Sequence, residues 1–261
     1  MFALTTAYFL STVFAMNQPP PSIWLRPERS ARGPVPEHSR AEIARAAVAL
    51  ADQGGLTAVT MRSVAAAIGT GPASLYRYVT TRDEILELMA DEAAGEYQFA
   101  PPPSTPLAGL LELAHQARHI FGRHPWLLDL PAAGGLPGPN AIDFTEHVLA
   151  VLDGTTLTSA ARLELVGIFT GLVRLLTRTE ADLRRAGQQL AQWQGALAGY
   201  LASAVADGRR PHLAAALASQ GGGQVTGAGA GASTGPTSAM VTADDLFDQT
   251  LTRLLAGLLV S

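Results

Sequence analysis

The stretch TAVTMRSVAAAIGTGPASLYRYVTTRDE, residues 57–84, decides the fold. It reads as two short helices joined by a glycine-containing turn and followed by a newly capped third. That is the order of a helix-turn-helix, whose second helix lies in the major groove of DNA. Thr60 stands as an N-cap, and Met61, Val64, Ala65 and Ile68 fall at i, i+3, i+4 and i+7, one apolar stripe. Gly69 ends this helix with a backbone able to take positive φ. Pro72 suits the first position of a new helix, so the spacing predicts a second helix over 72–78. Leu75 and Val79 form its inner face. Ala73, Ser74, Tyr76, Arg77 and Tyr78 face outward, a set of small, hydroxyl and guanidinium groups able to lie against a groove and its phosphates.

The flanking residues extend the pattern. Ser39-x-x-Glu42 has the form of a capping box, and Ile43, Ala46, Ala47 and Leu50 continue it as one apolar face until Gly54-Gly55. A second such box, Thr81-x-x-Glu84, opens a helix expected over 82–97 with Ile85, Leu88 and Met89 inside. Three small helices therefore lead into a long connector.

Over residues 38–92 these segments resemble the TetR/AcrR family of transcriptional regulators. The resemblance is carried by AEIARAAVALADQGGLTAVTMRSVAAAIGTGPASLYRYVTTRDEILELM, including the run Leu75 to Val79 and the Thr-Arg-Asp-Glu start of the fourth helix. It implies that Thr60 and Arg62 meet phosphate, that Thr70, Gly71, Pro72, Ala73, Ser74, Tyr76 and Arg77 approach the bases, and that Tyr76, Tyr78 and Arg82 hold the DNA backbone. The family often has polar residues where Gly71 and Pro72 stand here, which leaves direct readout resting heavily on Arg77. Over 105–261 the resemblance rests on the helical pattern and the terminal LFDQTLTRLLAGLL.

Composition bounds this reading. A chain of 261 residues, 48% hydrophobic, is long enough for a small domain and a larger one. All 18 basic residues are Arg, and there is no Cys, which excludes a disulfide framework, thiolate chemistry and a Cys-type zinc site. A reducing cytoplasm is compatible with that, and a cytoplasmic location is expected. The net charge of −4 conceals an asymmetry: residues 26–82 carry eight Arg and four acids, and residues 83–261 ten Arg and eighteen acids. The positive part contains the helix-turn-helix.

Residues 1–16 are apolar, lack a basic start and are too short to span a bilayer. They are expected to precede a true start at Met16. Residues 17–37 are Pro-rich and carry Arg26, Arg29 and Arg32, so residues 1–37 read as a disordered extension with an arm. Such an arm either lays Arg into a minor groove or is a tail with incidental charge. Residues 38–84 read as the DNA-binding domain and 85–261 as a helical ligand-binding and dimerisation domain, entered through the break Ala100-Pro-Pro-Pro-Ser.

Within the larger domain, helices are expected over 105–123, 125–130, 140–152, 158–185, 188–206 and from Asp244, with 131–139 and 219–239 as loops, the latter flexible. The 158–185 helix is apolar on more than one side, and Gly167 and Gly171 form a G-x-x-x-G step. That step either admits a second subunit's backbone or relieves crowding inside one subunit. Phe247, Leu251, Leu254 and Leu258 on the last helix are spaced to pack on a partner, and a two-fold dimer would hold two recognition helices about one DNA turn apart.

His115, Arg118, His119 and Phe121, with Trp126, Phe144, His147 and Phe169, combine aromatic walls and polar handles, the makings of a small-molecule pocket or of ordinary core. His115 and His119 share the i, i+4 spacing of metal-ligand pairs, with His124, Asp129 and His147 as candidate third ligands, but there is no H-E-x-x-H, and no metal or cofactor is expected. No nucleotide loop, activated nucleophile or carboxylate pair supports an enzyme. The expectation is an all-α, homodimeric regulator, a repressor, that binds a palindromic double-stranded DNA operator and is released by a small-molecule effector, with no membrane partner. The alternatives are a metal- or small-molecule-binding protein with a vestigial helix-turn-helix and a regulator tethered by residues 1–16.

Overall fold

The structure, a computed structural model, describes residues 22–28, 37–101, 105–131, 136–221 and 243–259. Among these, every regular element is helical. The helices are α1 (Arg40–Gly54), α2 (Met61–Ala67), α3 (Pro72–Leu75), α4 (Arg82–Ala94), α5 (Pro106–Arg123), α6 (Pro139–Val151), α7 (Ser159–Val205), α8 (Pro211–Gly221) and α9 (Ala243–Leu259). Short 3-10 turns lie at Ile23–Leu25, Leu56–Ala58 and Pro125–Asp129. The described residues up to 174 together with 250–259 make one compact unit, and those within 175–249 a second.

In the first unit, α1, α2 and α3 close around Ile43, Ala47, Val64, Ala65, Leu75 and Val79, and α4 adds Ile85, Leu88 and Met89 to the same core. Of the apolar stripes read from the sequence, Ile43, Ala47, Val64 and Ala65 are buried, Leu50, Met61 and Ile68 pack half-buried against them, and Ala44 and Ala51 join the core from outside the stripe read on α1. The core does not stop at the helix-turn-helix: Ile120 on α5 and Trp126 just after it belong to the same cluster. Helix α6 docks on α4 through Asp91, whose backbone oxygen accepts from Asn140 Nδ2 and whose Oδ1 accepts from the Ala141 amide, both at 3.0 Å. Gly138 offers no capping side chain at the start of α6, and the Asp91 carboxylate takes that place at the positive end of the helix. Any Cβ at Gly138 would lie 2.3 Å from Asp91 Cγ and 2.6 Å from Trp24 Cζ2, so this approach requires glycine.

Several boundaries differ from the sequence expectation. Residues 22–28 are docked, not disordered: Ile23 is 0% exposed within the core, because Ile23, Trp24 and Leu25 form an apolar turn capped by Ser22. The two helices expected over 158–185 and 188–206 are one, α7, since Gly187 weakens a helix by only about 1 kcal/mol and no proline interrupts. The connector ends at Ala94, not Tyr97. Helix α5 turns Leu110, Leu113, Ala114, Ala117 and Ile120 inward. Helix α9 buries Phe247, Leu251 and Leu255 and leaves Leu254 exposed. In the second unit α8 continues through residues 219–221, where a loop was expected. The expectations for residues 1–16, for Arg29 and Arg32, and for 222–239 lie outside the described residues.

Candidate nucleic-acid interface

Thr60 and Ser63 make a reciprocal capping box: Ser63 N–H donates to Thr60 Oγ1 at 3.0 Å and Thr60 N–H to Ser63 Oγ at 2.9 Å. Ser63 supplies the partner that glutamate usually gives. At the turn Gly69 has φ +74°, and the Thr70 amide donates back to the Ala65 carbonyl at 2.9 Å. Helix α3 begins at Pro72 as expected but ends at Leu75. Arg77 and Tyr78 then bond three residues back, to Ser74 and Leu75, and Val79 closes on Leu75 at 3.1 Å. Leu75 and Val79 pin this short hook to the core. The early end follows from Tyr78, which turns inward: its ring meets His38 edge-on at 6.1 Å, and its hydroxyl accepts from the His38 amide.

Gly71, Pro72, Ala73, Tyr76 and Arg77 are exposed on the hook, and Thr70 and Ser74 are half-buried. Arg62, on α2, is exposed beside them in sequence. Two of the expected DNA contacts are otherwise engaged. Tyr78 packs inward, and Arg82 donates from Nε to the Val59 carbonyl at 2.8 Å and from Nη2 to the Leu56 carbonyl at 2.7 Å. Arg82 therefore ties the start of α4 to the loop before α2, where the Leu56 carbonyl also accepts from the Val59 amide at 3.2 Å.

The two remaining capping boxes are half-formed for an electrostatic reason. Ser39 and Thr81 each accept from the amide three residues on, but the glutamates turn elsewhere. Glu42 meets His38 Nδ1 at 3.1 Å. Glu84 accepts from the Thr80 amide at 2.6 Å and hydroxyl at 2.8 Å, and pairs with Arg26 at 2.6 Å. Burial alone would raise the Glu84 carboxyl, but Thr80 and Arg26 outweigh it and hold the group below its usual range. Arg26 thus neutralises a buried carboxylate and does not reach toward a groove. Glu28 accepts from the Arg40 amide at 2.8 Å, and Ser22 donates to Glu87 at 3.1 Å, so three side chains hold the 22–28 segment.

The effector residues named from sequence are scattered. His115 and His119 are exposed on α5, Arg118 and Phe121 are half-buried, and Phe169 is buried on α7. Trp126 lies in the DNA-binding core and donates to Asp52 Oδ1 at 2.8 Å. Phe144 and His147 do come together, with two residues the sequence reading missed: Tyr97 packs on Phe144 at 4.5 Å, and Phe99 stacks on His147 at 4.7 Å. Of these four, His147 lines a small cleft with Gln98, Glu112 and Gln116, whose cavity of about 10 Å³ has room for about one water. The Gln98 amide donates to Gln116 Oε1 at 2.8 Å, and Gln116 Nε2 returns to the Gln98 carbonyl at 3.0 Å. Among the described residues no group of three His, Asp or Glu is placed to hold a metal ion.

Comparison with known proteins agrees with this architecture. The model of bacterial regulatory proteins of the tetR family matches residues 43–89, and the tetracyclin repressor-like C-terminal domain matches 101–261. The transcriptional repressor DrrR1 of Streptomyces coeruleorubidus is 33% identical over 204 residues, covering 74% of this chain and 73% of the relative. An HTH-type transcriptional regulator of Saccharopolyspora erythraea is 33% identical over 135 residues, 51% of this chain and 56% of the relative. The structure of apo ActR from Streptomyces coelicolor superimposes with a TM-score of 0.63 at 25% identity, over 87% of this chain and 97% of that one. ActR in complex with actinorhodin gives 0.62 at 25% identity, over 87% and 98%. With its helix-turn-helix and its C-terminal helices both matched, the chain belongs to the TetR family of bacterial helix-turn-helix transcriptional regulators.

Proposed function

We propose that the protein is a repressor that binds a palindromic operator as a homodimer and is released by a small organic effector, residues 38–84 reading the DNA and 85–261 holding effector and partner. One observation carries this reading. Exposed Arg62, Tyr76 and Arg77 stand on a reader whose core is continuous with Ile120 and Trp126, so a shift of α5 cannot leave the reader unmoved. Arg77 has the chemistry to take guanine edges in the major groove, and Arg62, Thr60 and Tyr76 to take phosphate.

Helix α4 is the transmitting element. It shares the reader's core, and Asp91 fastens it to α6, which carries Phe144 and His147. An effector wedged beside the Phe99–His147 stack bears on both helices. The cleft beside His147 offers polar groups on Gln98, Glu112 and Gln116, and a ligand larger than water has to open it to enter. ActR, of the same fold, has been crystallised with actinorhodin, which supports a small organic molecule as the effector class. Release then requires that the effector prefer the spacing of recognition helices that does not fit the operator.

Exposed Leu163, Gly167, Ile168 and Gly171 on α7 and exposed Leu254 on α9 are the surface offered to the second subunit. Regulation of transcription is a non-enzymatic role, and the site of action is the cytoplasm that holds the DNA. No described helix is long and apolar enough to cross a membrane. The test is selection of bound fragments from the source genome followed by footprinting. A two-fold symmetric protected site is expected. Binding that ignores sequence, with no symmetric site among the selected fragments, refutes the proposal.

A further inference from the structure

We propose that His124 is a positioning residue, the centre of a three-way ionic joint with Asp52 and Glu96 whose proton holds the DNA-reading helices on the effector half and thereby sets operator affinity. The proposal rests on the operator-binding reading above and adds a regulator to it.

The joint stands on geometry. His124 closes α5, its amide donating to the Ile120 carbonyl at 2.8 Å, and it is almost wholly buried. Its Nδ1 lies 2.7 Å from Asp52 Oδ1, on the last turn of α1, and its Nε2 lies 3.0 Å from Glu96 Oε1, just past α4. Three elements far apart in sequence therefore meet on one ring. Asp52 Oδ1 also accepts from Trp126 Nε1, which fixes that carboxylate, and the Arg123 guanidinium contacts Glu96 Oε2. Asp52 from α1 and Glu96 from the end of α4 are the charged groups facing the ring, while Arg123 of α5 reaches it only through Glu96. The Trp126 ring covers it at 5.8 Å without charge.

A neutral imidazole carries one N–H, and here two carboxylate oxygens each stand at donor distance. Only the imidazolium satisfies both. Losing the proton aims a lone pair at a carboxylate in a buried place, so one arm of the joint opens. Burial by itself would lower the histidine value, but hydrogen bonds to Asp52 and Glu96 and their charges outweigh it and raise it. For a group raised on folding, the stabilisation is complete below the unfolded value of about 6.5 and is lost as pH climbs through the folded value. A loosened joint leaves the reader with more freedom, and that freedom must be given up on binding DNA, so affinity falls.

The experiment measures operator dissociation constants by fluorescence anisotropy from pH 6 to 9 at fixed ionic strength, with melting curves of the free protein alongside. Wild type, His124→Gln and Glu96→Gln are compared. Wild-type affinity should drop about five-fold or more across this range, and His124→Gln should be nearly flat and close to the wild-type value at pH 9. The imidazole Cε1 proton of wild type should titrate above the free-histidine value. Should His124→Gln fail to fold, Glu96→Gln carries the test with a reduced slope and a lowered His124 titration. Equal slopes in wild type and variants overturn the proposal. So does a wild-type affinity that is flat in pH while the operator is bound specifically, which leaves operator binding intact. Absence of specific DNA binding at every pH overturns both readings together.

Discussion

Arg77 and Arg82 are near neighbours with the same charge, yet what surrounds each gives them different work. Arg77 stands exposed on the hook after α3, beside backbone that can approach a base pair closely, whereas Arg82 spends two donors on the Leu56 and Val59 carbonyls. Arg77→Ala should reduce the discrimination between operator and random duplex by about 1–3 kcal/mol, measured as the ratio of the two dissociation constants. Equal losses on both duplexes would remove Arg77 from base readout. Arg82→Ala leaves two loop carbonyls without their charged donor, and an outcome of about 1–3 kcal/mol lost in denaturant unfolding is expected. If folding stability is unchanged and only DNA affinity falls, Arg82 is a phosphate ligand instead.

At the scale of elements, the segment before α1 decides how stable the reader is. Ile23 fills the core, and Arg26 balances the Glu84 carboxylate at the start of α4. Arg26→Ala should cost about 1–3 kcal/mol, less than for a fully buried pair because Arg26 is partly exposed and Thr80 still serves Glu84. The sign of the pH effect follows from Glu84. Its carboxyl is held below the usual range, so the stabilisation is present above the unfolded value and disappears as pH falls through the folded one. The acid limb of wild-type stability should be steeper than that of Arg26→Ala, and parallel limbs would show that the pair contributes nothing. The sequence concealed this segment because six prolines and scattered Arg dominate 17–37, and its only signal was the apolar triplet Ile23-Trp24-Leu25. Helices α1, α2 and α4 were legible because each begins at a hydroxyl cap and buries a regular stripe. The Asp52–His124–Glu96 joint left no such trace, since it joins residues 72 and 28 positions apart and depends on tertiary packing alone. The placement of His115 and His119 was illegible for the related reason that an i, i+4 spacing puts both on one face without saying whether that face is inward, and in the structure both are exposed.

At the scale of the whole molecule, the glycines of α7 separate two accounts of the G-x-x-x-G step. If Gly167 and Gly171 relieved crowding inside one subunit, an added Cβ would meet neighbouring atoms. Among the described residues nothing lies within 4 Å of a Cβ built at either position. That leaves both open for the subunit contact proposed above, where exposed Leu163 and Ile168 on the same helix would supply apolar surface for a second copy to cover. Two opposite effects are expected of Gly167→Ala with Gly171→Ala. Each alanine adds helix propensity, so the helical subunit gains about 0.5–1 kcal/mol per site, while the added methyl groups hold two close backbones apart and weaken the dimer. Ile168→Glu should act without the first effect: a charge placed in a buried apolar contact gives a monomer of unchanged helical content by circular dichroism and sedimentation. Because a palindromic operator is bound through two half-sites, that monomer should retain weak binding to one half-site and lose the two-site affinity. If Ile168→Glu still sediments as a dimer on an intact operator, the subunits meet elsewhere, and the exposed face of α7 has another use.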